Sequence, residues 1–401
     1  MVDLKTKGRP DFLLFTLTLV LVFFGLLMIY SASSKVTIMD SRYNYDSLYF
    51  FKKQMTWILA GVAVMFTAMK MNYHFFRKMI VPLMLLSITF LVLVLFIGST
   101  INGAQSWINL GPMSFQPTEF AKIVVLIYLA NIISKKEEKF LNFKVGLLPV
   151  LLVIAFYTFL IYKQPDLGAC LILLLASAII IFVGGASFKH VITLGGIGVI
   201  GAVAIAMYFL GGQGGYRSSR FTAFLNPLGD PTNTGYQLLN SYYALGHGGV
   251  FGTGFGDGVQ KIVLPFSYND FILAVVGEEF GFVGITVFLL VYFAFILRGI
   301  QVSLRSKSNF GMLLGIGISS LIAVQAVINI GGVVGLMPIT GVTLPLISYG
   351  GTSLLITMFS LGILLSISRD RDKEVKETKK TTRTKKTTQP AERVPRINRA
   401  Y

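Results

Sequence analysis

The 401-residue chain is predicted to be an all-α polytopic membrane protein, with ten transmembrane helices and one large extracellular loop between the seventh and eighth. Three observations predict it. Hydrophobic residues make up 54% of the sequence and charged residues only 13%, with a mean hydropathy of +0.71, whereas a soluble domain is about 25% charged. Apolar runs of bilayer length, about 17–25 residues, recur along the chain. Lysine and arginine are unevenly shared between alternate loops.

The runs fall at 12–30, 55–69, 79–97, 118–134, 146–162, 169–184, 191–210, 271–297, 310–334 and 349–366. The first is followed by Ser31-Ala32-Ser33, as a cleaved leader would be. Its apolar core is longer than a leader's, so it is read as a retained anchor. The second is short and is expected to extend at its N-terminal end. With the N-terminus inside, 26 of the 35 Lys and Arg lie on the cytoplasmic side and 8 outside, Lys122 lying within the fourth run. Both termini are therefore expected in the cytoplasm.

Twelve of those cations sit in residues 369–401, a basic tail almost free of apolar residues. It is expected to be disordered and to lie against the anionic inner leaflet. Residues 1–368 form the membrane domain. The net charge of +17 thus encodes topology and argues for no nucleic-acid partner. Cys170, alone and inside an apolar run, excludes a disulfide framework and a thiolate metal site. His74, His190 and His247 lie too far apart in sequence to suggest a ligand pattern.

The loop 211–270 is the long polar interruption. Sixty residues are too many for a turn, and its Tyr236, Tyr242, Tyr243, Phe251, Phe255, Phe266 and Tyr268, punctuated by glycines, argue against disorder. It is expected to fold onto the membrane domain as the roof of a site.

Charges in or beside hydrocarbon are costly and default to functional hypotheses. Glu119 and Lys122, three apart on one helical face, suit either a neutralised packing pair or a lysine facing an anionic head group. Asp166, in a short outer turn, suits either a helix cap or a substrate contact. Arg217 and Arg220 can make a fork for a diphosphate or a solvated pair. Glu278 and Glu279 are read first as helix-packing groups. Asp270 closes the aromatic loop with no basic residue within eight positions. Low dielectric there would raise its pKa and make it a proton acceptor near neutral pH; the alternative is an N-cap.

Several long motifs then carry a resemblance. Asn329-Ile330-Gly331 and the run 335–353, GLMPITGVTLPLISYGGTS, resemble the FtsW/RodA (SEDS) family of cell-wall polymerases. So do the stretch from Asn102 through Trp107 to Gln116-Pro117-Thr118-Glu119-Phe120-Ala121-Lys122, the turn Gln164-Pro165-Asp166-Leu167-Gly168, and Asp270-Phe271-Ile272 with Glu278-Glu279. Gly235-Tyr236-Gln237-Leu238 and the run ending at Lys261 look more like the division and sporulation branch. The resemblance implies a peptidoglycan glycosyltransferase of the bacterial plasma membrane that polymerises lipid II beside a class B penicillin-binding protein and other division or elongation proteins. It makes Asp270 the catalytic residue and places Glu119, Lys122, Asp166, Arg217, Arg220, Trp107, Lys261 and Ser348 around substrate. One departure stands out. The family's Pro-Glu-x-His-Thr-Asp is here Pro265-Phe266-Ser267-Tyr268-Asn269-Asp270, which puts Tyr268 where a histidine relay would be.

The implied chemistry needs a base for one sugar hydroxyl and cations for a departing undecaprenyl pyrophosphate. One displacement with one base inverts the anomeric centre, unlike the close carboxylate pair of a retaining enzyme. No cofactor is required. A divalent cation on the diphosphate fits the chemistry, although no ligand cluster announces one. The rival readings are a lipid-linked precursor flippase, a polymerase serving elongation, and a scaffold that recruits another enzyme.

Overall fold

The computed structural model describes residues 8–370 except 102–103, 112, 137–139, 188, 191, 194–195 and 197–215. Thirteen α-helices lie among the described residues: α1 (Phe12–Ile38), α2 (Tyr49–Lys70), α3 (His74–Lys78), α4 (Ile80–Ile97), α5 (Pro117–Lys136), α6 (Leu148–Tyr162), α7 (Leu167–Val183), α8 (Tyr216–Leu225), α9 (Tyr236–Gly248), α10 (Gln260–Val263), α11 (Ile272–Leu304), α12 (Asn309–Val333) and α13 (Gly351–Ser368). Several start where the sequence supplies a cap. The Asp11 carboxylate accepts from the Leu14 amide at 3.0 Å, Asp166 from Ala169 at 2.9 Å, and Ser308 from Gly311 at 2.9 Å. Pro117 opens α5, where its missing N–H has no cost.

Seven helical segments among the described residues are long and apolar enough to cross a membrane. Two others occupy expected spans but fall short of that standard: α2, with Lys52, Lys53 and Gln54 near its start, and α7, at 17 residues. The seventh expected span, 191–210, lies almost wholly outside the described residues, as do 211–215 and the tail beyond Asp370.

One part of the chain departs from the all-α expectation. Ser99–Ile101 (β1), Ala104–Leu110 (β2) and Met113–Phe115 (β3) form a small antiparallel sheet in the order β1-β2-β3. The period-two pattern of β2 explains it: Ser106 and Ile108 are buried while Asn109 is exposed. Gly111, at φ +67, opens the turn into β3.

α12 is the hub, packed against α5, α7, α11 and α13, while α13 lies along α2 and α11 along α1. Large apolar side chains such as Phe23, Leu85, Phe96 and Leu290 remain exposed on the outer faces, as expected where the surrounding solvent is hydrocarbon. At the end that carries the termini, Arg298 forks onto Asp11 at 2.9 and 2.7 Å, and the Asp11 amide donates to Ser368 at 3.0 Å.

Two irregular features shape the opposite end. α11 is broken at Gly281, whose φ of +64 and ψ of −167 are closed to residues with a Cβ. The connection between α12 and α13 is an irregular plug in which Leu344, Leu346 and Ile347 are buried. Gly25 of α1 lies so close to this plug that a Cβ would stand 2.7 Å from the Ile347 Cα and the Leu346 carbonyl.

Gly25→Ala should therefore destabilise by about 1–3 kcal/mol, the usual range for overpacking. Gly61→Ala, whose Cβ would meet side-chain atoms alone, Met358 at 3.1 Å and Leu355 at 3.9 Å, should be close to neutral. Thermal unfolding of both variants in detergent checks the contrast.

Candidate functional site

The stretch from α8 to Asp270 returns onto the bundle at many points. The Ser241 hydroxyl donates to the Val333 carbonyl at 2.8 Å, Ser267 to Ala32 at 3.3 Å, and the amides of Phe282 and Val283 to Gly249 and Val250. These contacts seat the loop on α1, α11 and α12 and place Asp270 just ahead of α11.

The backbone around Asp270 is held from three sides. The Asn329 carboxamide on α12 donates to the Asp270 carbonyl and to the Val342 carbonyl, both at 2.7 Å. Ser348 in the plug donates to Asn269 at 2.6 Å while accepting from the Leu344 amide at 2.9 Å. The Tyr349 amide donates to Tyr268 at 2.9 Å. Beneath them Tyr268 stacks on Phe50 at 4.3 Å, with Tyr349 edge-on to Phe50 at 4.9 Å.

The Asp270 carboxylate faces the plug. Gly341, at φ +74, leaves the space bare: a Cβ there would lie 3.6 Å from Asp270 Oδ2 and 3.3 and 3.5 Å from the two terminal nitrogens of Arg220. Arg220, on α8, also donates to the Ile339 carbonyl at 3.3 Å. Burial pushes the Asp270 carboxyl up to about 6, against the opposing pull of the Arg220 guanidinium. Burial also pushes the Tyr268 hydroxyl well above the ordinary tyrosine range, so it stays protonated and cannot stand in as a base. Asp270 therefore holds a proton more tightly than an ordinary aspartate.

A second cluster adjoins the same plug. Lys122 Nζ lies 2.8 Å from Glu119 Oε1 and 3.4 Å from Gln325 Oε1, and Gln325 in turn donates to the Thr343 carbonyl at 3.2 Å. Lys122 is 1% exposed and Glu119 12%. Asp166 caps α7 and receives a long 3.5 Å bond from Gln116. Burial raises its carboxyl, while the charges of Lys122, Glu119 and Arg220 all reach it. Asp166 thus links the Glu119–Lys122 pair to the arginine beside Asp270.

Other expected substrate contacts have different surroundings. Lys261 is 1% exposed and bound to Glu279 at 2.6 Å, to Ser31 at 2.9 Å and to the Gly256 carbonyl at 2.9 Å. Its charge is consumed inside the protein, a correction to its expected place at substrate. Ser348 likewise spends its hydroxyl on the backbone. Trp107 is half-buried in β2, paired with Ser99. The Arg217 side chain lies outside the described residues. Sequence reasoning gave no role to Gln325, Asn329 or Gly341. The signal was a pair of amides four residues apart on one face of the most buried apolar helix. Among the described residues no three His, Cys, Asp or Glu side chains gather as a metal-ligating group.

Known proteins share this architecture. A profile of the FtsW/RodA/SpoVE family, described as cell cycle protein, matches residues 11–373. The chain is 40% identical over 369 residues to the probable peptidoglycan glycosyltransferase FtsW of Geobacter sulfurreducens, covering 91% of this chain and 97% of that protein. It is also 40% identical over 367 residues to stage V sporulation protein E of Bacillus subtilis, covering 90% and 98%. Among solved structures it is similar to a chain from work on structural coordination of polymerization and crosslinking by a peptidoglycan synthase complex. The TM-score is 0.73 at 28% identity, over 91% of this chain and 99% of that one. The Thermus thermophilus rod shape determining protein RodA gives 0.64 at 26% identity, over 91% and 98%.

The Glu119–Lys122 pair should behave as one unit. Glu119→Gln or Lys122→Met alone strands a charge in low dielectric, at about 3–5 kcal/mol, and the double variant should cost less than either. A double-mutant cycle on unfolding in detergent checks it; additive effects would mean that the two groups do not couple.

Proposed function

The chain belongs to the FtsW/RodA/SpoVE family of cell cycle proteins, and we propose that it is a peptidoglycan glycosyltransferase that polymerises lipid II during cell division. The observation that carries the mechanism is a partly buried carboxylate, raised to about 6, with a guanidinium beside it. That is the pairing an inverting glycosyl transfer needs. The hydroxyl of one lipid-linked sugar attacks the anomeric carbon of another and gives its proton to Asp270. The bond from that carbon to the diphosphate breaks, and the electron pair leaves with undecaprenyl pyrophosphate. Arg220 meets the charge that develops on the diphosphate, with Arg217 on the same helix as a second candidate. Lys122, held by Glu119 and Gln325, supplies fixed positive charge to the neighbouring wall, and Asp166 joins the two clusters.

Asn329, Ser348 and the glycine at 341 keep Asp270 where the reacting hydroxyl would arrive, since an error of about 1 Å in such a group can lower the rate 10²-fold. No cofactor enters the reaction; a divalent cation held by the diphosphate's own oxygens is compatible with it. A class B penicillin-binding protein is the proposed partner, supported by the likeness to a chain of a peptidoglycan synthase complex. The proposed setting is the bacterial plasma membrane, with ten spans, both termini in the cytoplasm and Asp270 on the outer face. The 26 to 8 division of basic residues supports that orientation.

Two outcomes test these proposals. Asp270→Asn keeps size but removes basicity, so polymerisation of purified lipid II should fall about 10²–10⁴-fold while the protein still folds. The parent rate should rise with pH through about 6, because the base works only when deprotonated and its folded pKa lies there. A variant within a few-fold of the parent would make Asp270 structural and bring the flippase reading forward. For topology, a reporter fused after Arg369 should be active only on the cytoplasmic face.

A further inference from the structure

Lys261 and Glu279 stand nine residues before and nine residues after Asp270, and they meet. Their Nζ–Oε1 distance is 2.6 Å, with both side chains 1% exposed or less. The pair joins residues 18 positions apart and so closes a ring whose midpoint is the proposed base. We infer that the Lys261–Glu279 ion pair is a positioning clasp: it closes the ring that holds Asp270 at the reacting sugar, and it acts on the rate through Asp270 without touching substrate. This rests on the assignment of Asp270 as the base.

Three features show that the closure is built. Ser31 of α1 donates to the same Glu279 oxygen and accepts from Lys261, so the clasp is fastened to a second helix. Glu278, the neighbouring acid, closes the ring again. Its Oε1 accepts the amides of Val259 and Gln260 at 2.7 and 2.9 Å and lies 3.0 Å from His247 Nδ1. The chain beyond the clasp is then locked by close backbone contact. A Cβ at Gly281 would stand 2.3 Å from the Gly252 amide nitrogen, and one at Gly252 would stand 2.2 Å from the Glu279 carbonyl. The break in α11 at Gly281 separates the half-helix Ile272–Phe280, almost entirely buried, from a remainder with many exposed apolar residues. The half-helix that follows Asp270 is thus set by the ring and only indirectly by the membrane-facing part.

Within the ring the path from clasp to carboxylate is short and pinned. Ser267 donates to Ala32, the residue after Ser31. The turn then runs through Phe266, at φ +57, whose carbonyl accepts from the Asn269 and Phe271 amides. A buried ion pair contributes little net stability against an apolar pair of similar volume, so what this one supplies is geometry. Among the described residues, the charged or titratable groups facing these acids are Lys261 and His247, with Lys35 reaching the Gly258 carbonyl at 3.4 Å; Arg220 faces Asp270.

The test uses the full-length chain in detergent with purified lipid II and follows kcat, KM, pH profile and thermal stability. Lys261→Met and Glu279→Gln alone each strand or unbalance a charge and should lower both stability and kcat. The decisive variant carries both changes. It removes the charges together, so stability should return close to the parent. The open ring should keep kcat about 10- to 100-fold down, as a misplaced catalytic group does, with KM within about 3-fold. Water reaching Asp270 should also lower its pKa, so the acid limb of the profile should move from about 6 toward the ordinary carboxylate value of 3.8. A double variant that regained the parent's kcat along with its stability, or kept its limb at about 6, would overturn the clasp. Asp270→Asn in the same assay separates the two ideas. If it is inactive while the double variant is normal, only the clasp falls; if it is active, the base assignment falls and takes the clasp with it.

Discussion

Irregular backbone inside a membrane bundle must find donors for its carbonyls, because hydrocarbon offers none. The site follows from how that constraint is met. The turn that carries Asp270 and the plug between α12 and α13 lie side by side, and neither makes a regular ladder. Asn329 solves the problem for both with one carboxamide, donating to the Asp270 carbonyl and to Val342 at 2.7 Å each. Ser348 bridges them again, its hydroxyl donating to the Asn269 carbonyl and accepting from the Leu344 amide. The two segments are consequently one unit, and the plug cannot shift without moving the acid.

Charge follows a parallel rule. A buried carboxylate or ammonium must be paired, and the two strongly buried lysines among the described residues obey it, Lys122 with Glu119 and Lys261 with Glu279. Asp270 is the informative contrast. Its arginine lies near enough to pull the carboxyl down, yet burial wins and the group ends at about 6. Burial is what leaves the proton affinity available.

Much of this was legible in the sequence, for stated reasons. Helix positions followed from apolar runs, and the Glu119–Lys122 pairing followed from a spacing of three. Asp270 stood out because it ends the polar loop with no cation nearby. What was hidden depends on contacts between distant segments. Lys261 reads as a free loop cation until the fold brings Glu279 and Ser31 to it. Ser348 reads as a candidate ligand until Asn269 and Leu344 use its hydroxyl. The sheet at 99–115 is hidden differently: it lies between two apolar runs, and its strands are too short for the alternation of Ser106, Ile108 and Asn109 to announce them.

The tyrosine at 268 shows how such a site tolerates a change in chemistry. The family resemblance implies a histidine there, whereas here a ring packs between Phe50 and Tyr349. Its hydroxyl is held protonated by burial, so it contributes packing and no proton transfer. Its backbone carbonyl still receives the Tyr349 amide, and that bond does not depend on the side chain. The position therefore has two separable jobs, a backbone anchor that any residue can fill and a side chain facing the aromatic wall. Only the second has changed, and the geometry of Asp270, fixed through the first, is left standing.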